Sequence, residues 1–137
     1  MYKNILIPLD ISYADRVILE HIKPLAKMTN ARIILVHVSD GFMARNQKDL
    51  GESDEMREDY RYLKDRETEF KNEGFDARSV LLTGEPYKKI LELAETENCD
   101  LIAMATHGHR GISDIVLGTV ASDLRHNTKI PVLQIKA

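Results

Sequence analysis

One cysteine, Cys99, is all that the chain carries. No internal disulfide can form, which fits a reducing compartment. Cys99 stands just before an apolar run and reads as a small buried thiol rather than a reactive one. Apolar runs are short as well. None approaches the roughly 20 residues that a membrane span needs, and Tyr2-Lys3-Asn4 leads straight into Ile5-Leu6-Ile7 with no leader-like stretch. A cytoplasmic protein without a membrane partner is therefore expected. An excess of one charge is also lacking. The formal net charge is -3, which argues against a nucleic-acid partner. Two familiar signatures are missing too: there is no Gly-x4-Gly-Lys-(Ser/Thr) phosphate loop and no Gly-x-Ser-x-Gly elbow. No linker, internal repeat or low-complexity segment divides the chain.

What remains is 137 residues, 43% hydrophobic and 30% charged, the size and balance of one globular domain spanning 1–137. Five dense apolar runs recur: Ile5–Leu9, Ile33–Val38, Ser79–Leu82, Leu101–Ala105 and Val132–Ile135. Such runs suit strands buried on both faces of a parallel sheet. Helical periods lie between them. Ile18, Ile22 and Leu25, flanked by Leu19 and Ala26, mark the first, with Pro24 predicting a kink or an early end. A mostly charged helix from about Glu52 to Lys71 is expected to bury Met56, Tyr60, Leu63 and Phe70. Tyr87, Ile90, Leu91 and Ala94 mark the third, and Leu117, Val120, Ala121 and Leu124 the fourth. Asp40 to Gly51 has no strong period and reads as a loop long enough for a lid. Alternation of this kind predicts an α/β fold, a doubly wound parallel sheet with helices on both faces. Ligands of such sheets bind beyond the carboxyl ends of the strands.

The strand ends therefore carry the functional information. Asp10-Ile11-Ser12 follows the first strand, and either Asp10 or Ser12 is able to cap the next helix. Gly84-Glu85-Pro86 follows the third and reads as a turn with Pro at the first helical position. The fourth runs into Thr106-His107-Gly108-His109-Arg110-Gly111. Bare glycine amides at Gly108 and Gly111, charge from His109 and Arg110, and Gly118-Thr119 at the expected start of the last helix compose a phosphate cradle. A tight turn followed by a helix start is the plainer alternative. An aspartate closing the third strand would mark a phosphoacceptor receiver domain; here that strand ends Leu82-Thr83-Gly84, which rejects it.

These residues also resemble the universal stress protein family over essentially the whole chain. Its ATP-binding members carry Gly-x2-Gly-x9-Gly-(Ser/Thr). The matching positions here are Ala105, Gly108, Gly118 and Thr119, with alanine in place of the first glycine. Ile7-Pro8-Leu9-Asp10-Ile11-Ser12, Leu35-Val36-His37-Val38, Gly84-Glu85-Pro86 and Pro131-Val132-Leu133 are similar to the family's strand ends in order. The resemblance implies an adenine nucleotide alpha hydrolase-like fold with sheet order 3-2-1-4-5. It implies a regulatory, stress-responsive homodimer that binds ATP or AMP. Pro8, Asp10 and Val38 would surround adenine. Ala105, Gly108, Gly118 and Thr119 would line ribose and phosphates, with Ser12, His107, His109, Arg110 and Gly111 as further candidates. Mg2+ would rest mainly on phosphate oxygens, Asp114 being the nearest acid. The dimer would form through the terminal strand, Val132–Ile135, an apolar edge in need of a partner. Two other functions stay open. One is a slow ATPase or phosphotransferase using His107 or His109. The other is a dimeric scaffold with an empty site, which Ala105 favours.

Overall fold

The computed structural model describes residues 1–40, 50–106 and 112–137. Among the described residues, five strands alternate with four helices: β1 (Asn4–Pro8), α1 (Ala14–Thr29), β2 (Arg32–Asp40), α2 (Leu50–Asn72), β3 (Ala77–Gly84), α3 (Pro86–Thr96), β4 (Leu101–Thr106), α4 (Ile112–Asn127) and β5 (Val132–Lys136). All strand pairs are parallel, in the order β3-β2-β1-β4-β5. Leu6 at the centre is level with Ile34 on one side and Ile102 on the other.

The uninterrupted apolar character of the central strands follows from a core on each face. Ile5, Ile7, Ile33, Leu35, Leu101, Ala103 and Ala105 point to one side and pack with Ile18, Leu19 and Ile22 of α1 and Leu63 and Phe70 of α2. Leu6, Ile34, Val36, Ile102 and Met104 point to the other and meet Ile90 and Ala94 of α3 and Val120, Ala121 and Leu124 of α4. Alternation of side chains along each strand is what lets one run feed both layers.

Three sequence expectations are corrected here. Of the kink or early end expected at Pro24, the early end does not occur: α1 continues to Thr29 and closes on Asn30 at φ 56 with its N–H bonded to the Ala26 carbonyl. Pro24 and Glu20 are both exposed, so the carbonyl left without an amide faces water instead of the core. Tyr60 does not join the buried stripe of α2; it is 55% exposed. The inner face of that helix runs instead through Leu63, Glu67 and Phe70. The last helix begins at Ile112, six residues ahead of Gly118. The lid expected between Asp40 and Gly51 falls largely outside the described residues.

Glu67 is a carboxylate where a hydrophobic residue would be expected. It accepts hydrogen bonds from the Ser79 amide at 2.6 Å and the Ser79 hydroxyl at 3.0 Å. Lys71 approaches it at 3.2 Å and Lys64 at 3.5 Å. Burial pushes the Glu67 carboxyl up, but Lys71, Ser79 and Lys64 together hold it below its usual range. Since β3 has a strand on one side only, Glu67 occupies an amide that an edge strand would otherwise offer to another chain.

Candidate functional site

β1 and β4 lie side by side, yet their chains leave in opposite directions. From β1 the chain enters α1 on one face; from β4 it enters α4 on the other. In doubly wound sheets such a divergence marks where a ligand binds, in the crevice beyond the carboxyl ends of the two strands. Pro8 ends β1, buried and level with Val36. Asp10 stands two residues further on, half-buried. Val38, two residues before the end of β2, is half-buried against the α3 and α4 layer. Ala105, 2% exposed, pairs with Ile135 near the end of β4. These four predicted residues thus share one end of the sheet. His107, Gly108, His109, Arg110 and Gly111 lie outside the described residues.

Gly118 and Thr119 fall inside α4 rather than at its start. The amides of interior helical residues are bonded to carbonyls four positions back, so these two do not face a ligand as bare donors. Helix amides without intrahelical partners belong to the first turn, which opens at Ile112. Thr119 is exposed.

Ala105 adopts ordinary strand geometry. Among the described residues, the non-glycine positions with positive φ are Ile11, Asn30 and Asn98. A methyl group at position 105 therefore costs nothing in backbone strain, and the departure from glycine does not argue for an empty site.

The turn after β1 is held by a residue that the sequence reading passed over. Asp15, in the first turn of α1, is 3% exposed. Its carboxylate accepts the amide of Asp10 at 3.1 Å and that of Ile11 at 2.9 Å. The Tyr62 hydroxyl, from α2, donates to the same group at 2.7 Å. Burial pushes the Asp15 carboxyl up to about 6, the bonds from Tyr62 and Asp10 opposing that rise. Burial and the Asp15 charge also raise the Tyr62 phenol well above its usual value. The signal was present: Asp15 precedes Ile18, Leu19 and Ile22 on the same stripe, and an acid on an apolar stripe needs donors around it.

Ile11 has φ 61, a left-handed conformation that is an outlier for a β-branched residue. Its cost is about 1–2 kcal/mol, which the bond to Asp15 helps to offset. Ser12 donates its hydroxyl to Asp10 Oδ1 at 2.5 Å and accepts the Ala14 amide at 3.2 Å. Ser12 thus stands one residue ahead of Tyr13, the residue at the N-cap of α1, which has no side-chain cap bond, so neither Asp10 nor Ser12 caps the helix as expected. The Ser12 hydroxyl instead ties the Asp10 carboxylate to the Ala14 amide. His37 completes the rim. Its Nδ1 donates to the Leu9 carbonyl at 2.8 Å, and its Nε2 lies 3.6 Å from Asp59 of α2. Ser39 donates to the same Asp59 carboxylate at 3.4 Å.

The model of the universal stress protein family matches residues 1–136. The chain is 28% identical to the universal stress protein MJ0577 of Methanocaldococcus jannaschii, covering 99% of this chain and 96% of that one. The solved structure of MJ0577 superposes with a TM-score of 0.84 over 100% of this chain and 97% of that one. A second protein of the same organism, MJ0531, is 31% identical across 99% of this chain and 83% of its own length. The same fold recurs in the universal stress protein of Archaeoglobus fulgidus solved in complex with dAMP, at 22% identity and a TM-score of 0.73, with 98% of both chains covered. With its sheet order and a family match across all but the last residue, this chain belongs to the universal stress protein family.

Proposed function

We propose that this chain is an adenine-nucleotide-binding regulatory protein whose ligand sits across the carboxyl ends of β1 and β4. The observation that carries the reading is the β1–α1 turn, a strained segment braced by Asp15, in which Ser12 holds the Asp10 carboxylate beyond the carboxyl end of β1. Backbone strain persists where surrounding structure over-determines it, and it concentrates at ligand sites. Ile11 at φ 61, held by Asp15 and followed by a Ser12–Asp10 hydrogen bond, fits that pattern.

Val38, half-buried, offers apolar surface to an adenine ring, with Pro8 buried at the neighbouring strand end. The Asp10 carboxylate is an acceptor for a ligand N–H or hydroxyl, and Ala105 stands near the end of β4 with a small side chain turned into the core. Phosphates would extend toward residues 108–119, with free amides supplied by the opening turn of α4 and a hydroxyl by Thr119. Mg2+, if bound, would rest on phosphate oxygens. The adenine-nucleotide complex of the Archaeoglobus fulgidus fold relative is consistent with this ligand class. Assembly as a homodimer through β5 belongs to the same proposal. Val132, Leu133 and Ile135 are half-buried on the outermost strand, and a second copy would cover them.

The test is direct. Protein purified natively and then denatured should release an adenine nucleotide identifiable by mass, in molar proportion to the chain. Release of no nucleotide, together with no saturable uptake of ATP or AMP by the stripped protein, would overturn the proposal.

A further inference from the structure

Resting on the nucleotide reading above, we propose that Asp15 is a positioning residue of the site: its buried carboxylate holds the Asp10–Ile11 turn in shape and ties that turn to α2 through Tyr62. No ligand atom needs to touch Asp15. It acts through Asp10, whose own amide and whose successor's amide it fixes.

The geometry supports a single two-sided clamp. One oxygen of Asp15 takes the Asp10 amide, and the other takes both the Ile11 amide and the Tyr62 hydroxyl. Three donors around one carboxylate leave little room for a neutral substitute. A protonated carboxyl or an asparagine amide replaces an acceptor with a donor, and one of the three partners must then turn away. The Ile11 amide is the least able to do so without loss, because Ile11 is the strained residue.

The charged surroundings set the sign of the effect. Asp10 lies on the turn itself and repels the Asp15 charge. From α2 come Tyr62 and, stacked over its ring at 4.8 Å, Arg66. Arg66 is the one described residue with a buried side-chain nitrogen lacking a hydrogen-bond partner, its Nε. The His37–Asp59 pair borders the same rim from β2 and α2. A ligand N–H or hydroxyl that donates to Asp10 offsets part of the negative charge beside Asp15 and so favours its ionised form. By linkage, the ionised form favours the ligand. Nucleotide affinity should therefore rise with pH through the titration of Asp15. Occupancy of the site should also reach α2, whose Tyr62 shares the clamp.

Two measurements on the full chain test this separately. In ligand-free, 15N-labelled protein the Asp10 and Ile11 amide resonances should titrate together with a midpoint near 6. The midpoint should move upward in Tyr62→Phe, which removes a bond that favours the ionised form, and the transition should vanish in Asp15→Asn. Titration calorimetry with ATP should then show affinity weakened about tenfold by Asp15→Asn at pH 7.5. The gap should close toward pH 5, a ratio in which the ligand's own ionisation cancels. Tyr62→Phe leaves the carboxylate in place and serves if Asp15→Asn fails to fold. Amides that do not titrate, or whose midpoint ignores Tyr62→Phe, overturn the clamp. Equal ATP affinity for wild type and Asp15→Asn across the pH range overturns its role in the site. Titrating amides in a wild-type protein that binds no adenine nucleotide would refute the nucleotide reading and, with it, Asp15's part in such a site.

Discussion

Replacing Glu67 by glutamine should cost far more than a surface substitution, and in a pH-dependent way. Glu67 is 7% exposed and bonds both the amide and the hydroxyl of Ser79. Hydrogen bonds to a charged acceptor are worth about 1.5–3 kcal/mol against about 0.5–1.5 for neutral ones. Downgrading two of them removes about 2 kcal/mol. The lysine contacts add little, since Lys71 and Lys64 are 55% and 42% exposed, and such pairs contribute about 0–1 kcal/mol. Unfolding entropy of about 2.1 cal/mol/K per residue gives about 0.3 kcal/mol/K for 137 residues. The melting temperature of Glu67→Gln should thus fall by about 7 °C at pH 7. The sign with pH follows from the lowered pKa. A carboxyl that loses its proton more readily when folded stabilises the native state above its unfolded value of 4.5, and that contribution disappears as pH falls through the folded value. Urea denaturation of both proteins from pH 7 to pH 3 should show a gap that is steady down to about pH 5 and then closes. A gap below about 0.5 kcal/mol at neutral pH, the range of an ordinary surface change, would refute the account of α2 docking on β3. So would a gap that persists undiminished at pH 3.

Asp15 should show the opposite dependence. Its folded value of about 6 lies above the reference of 3.8, so its favourable contribution is complete below 3.8 and gone above 6. Relative to Asp15→Asn, the wild type should lose about 2–3 kcal/mol between pH 3.5 and pH 7, measurable in the same denaturation series. Ile11→Asn places a residue tolerant of left-handed geometry at φ 61. It should be at least as stable as wild type in urea; a loss beyond about 1 kcal/mol would show that side-chain packing outweighs the backbone there. Ala105→Gly should lower stability by about 1 kcal/mol and bring no gain in ATP affinity by calorimetry. A clear gain would mean that the methyl group obstructs the ligand.

The fold was legible because its signals were dense and local. Five runs such as Ile33–Val38 and Leu101–Ala105 are short, apolar on both faces and separated by helical periods, a combination that few architectures accept. The order of the strands came from the family resemblance and was then observed. Asp10 was picked from a strand end and Pro8, Val38 and Ala105 came from the family resemblance; the structure brings all four to one end of the sheet. Asp15 and Glu67 were passed over for a common reason. Periodicity counts apolar residues, and a charged residue on a buried stripe is explained only by partners distant in sequence, Tyr62 in one case and Ser79 in the other. Gly118-Thr119 was placed at a helix start because small residues favour such positions. Nothing local to that pair revealed that the helix opens at Ile112.

The most direct measurement of the central claim is calorimetric titration of ATP and AMP, with GTP as control, into nucleotide-free wild type and Asp10→Ala at pH 7.5. The account predicts saturable binding of the adenine nucleotides by wild type, little for GTP, and affinity weakened at least about tenfold, or 1.4 kcal/mol, in a folded Asp10→Ala protein. Equal affinity for all three nucleotides, or binding untouched by Asp10→Ala, would place any nucleotide somewhere other than the crevice between β1 and β4.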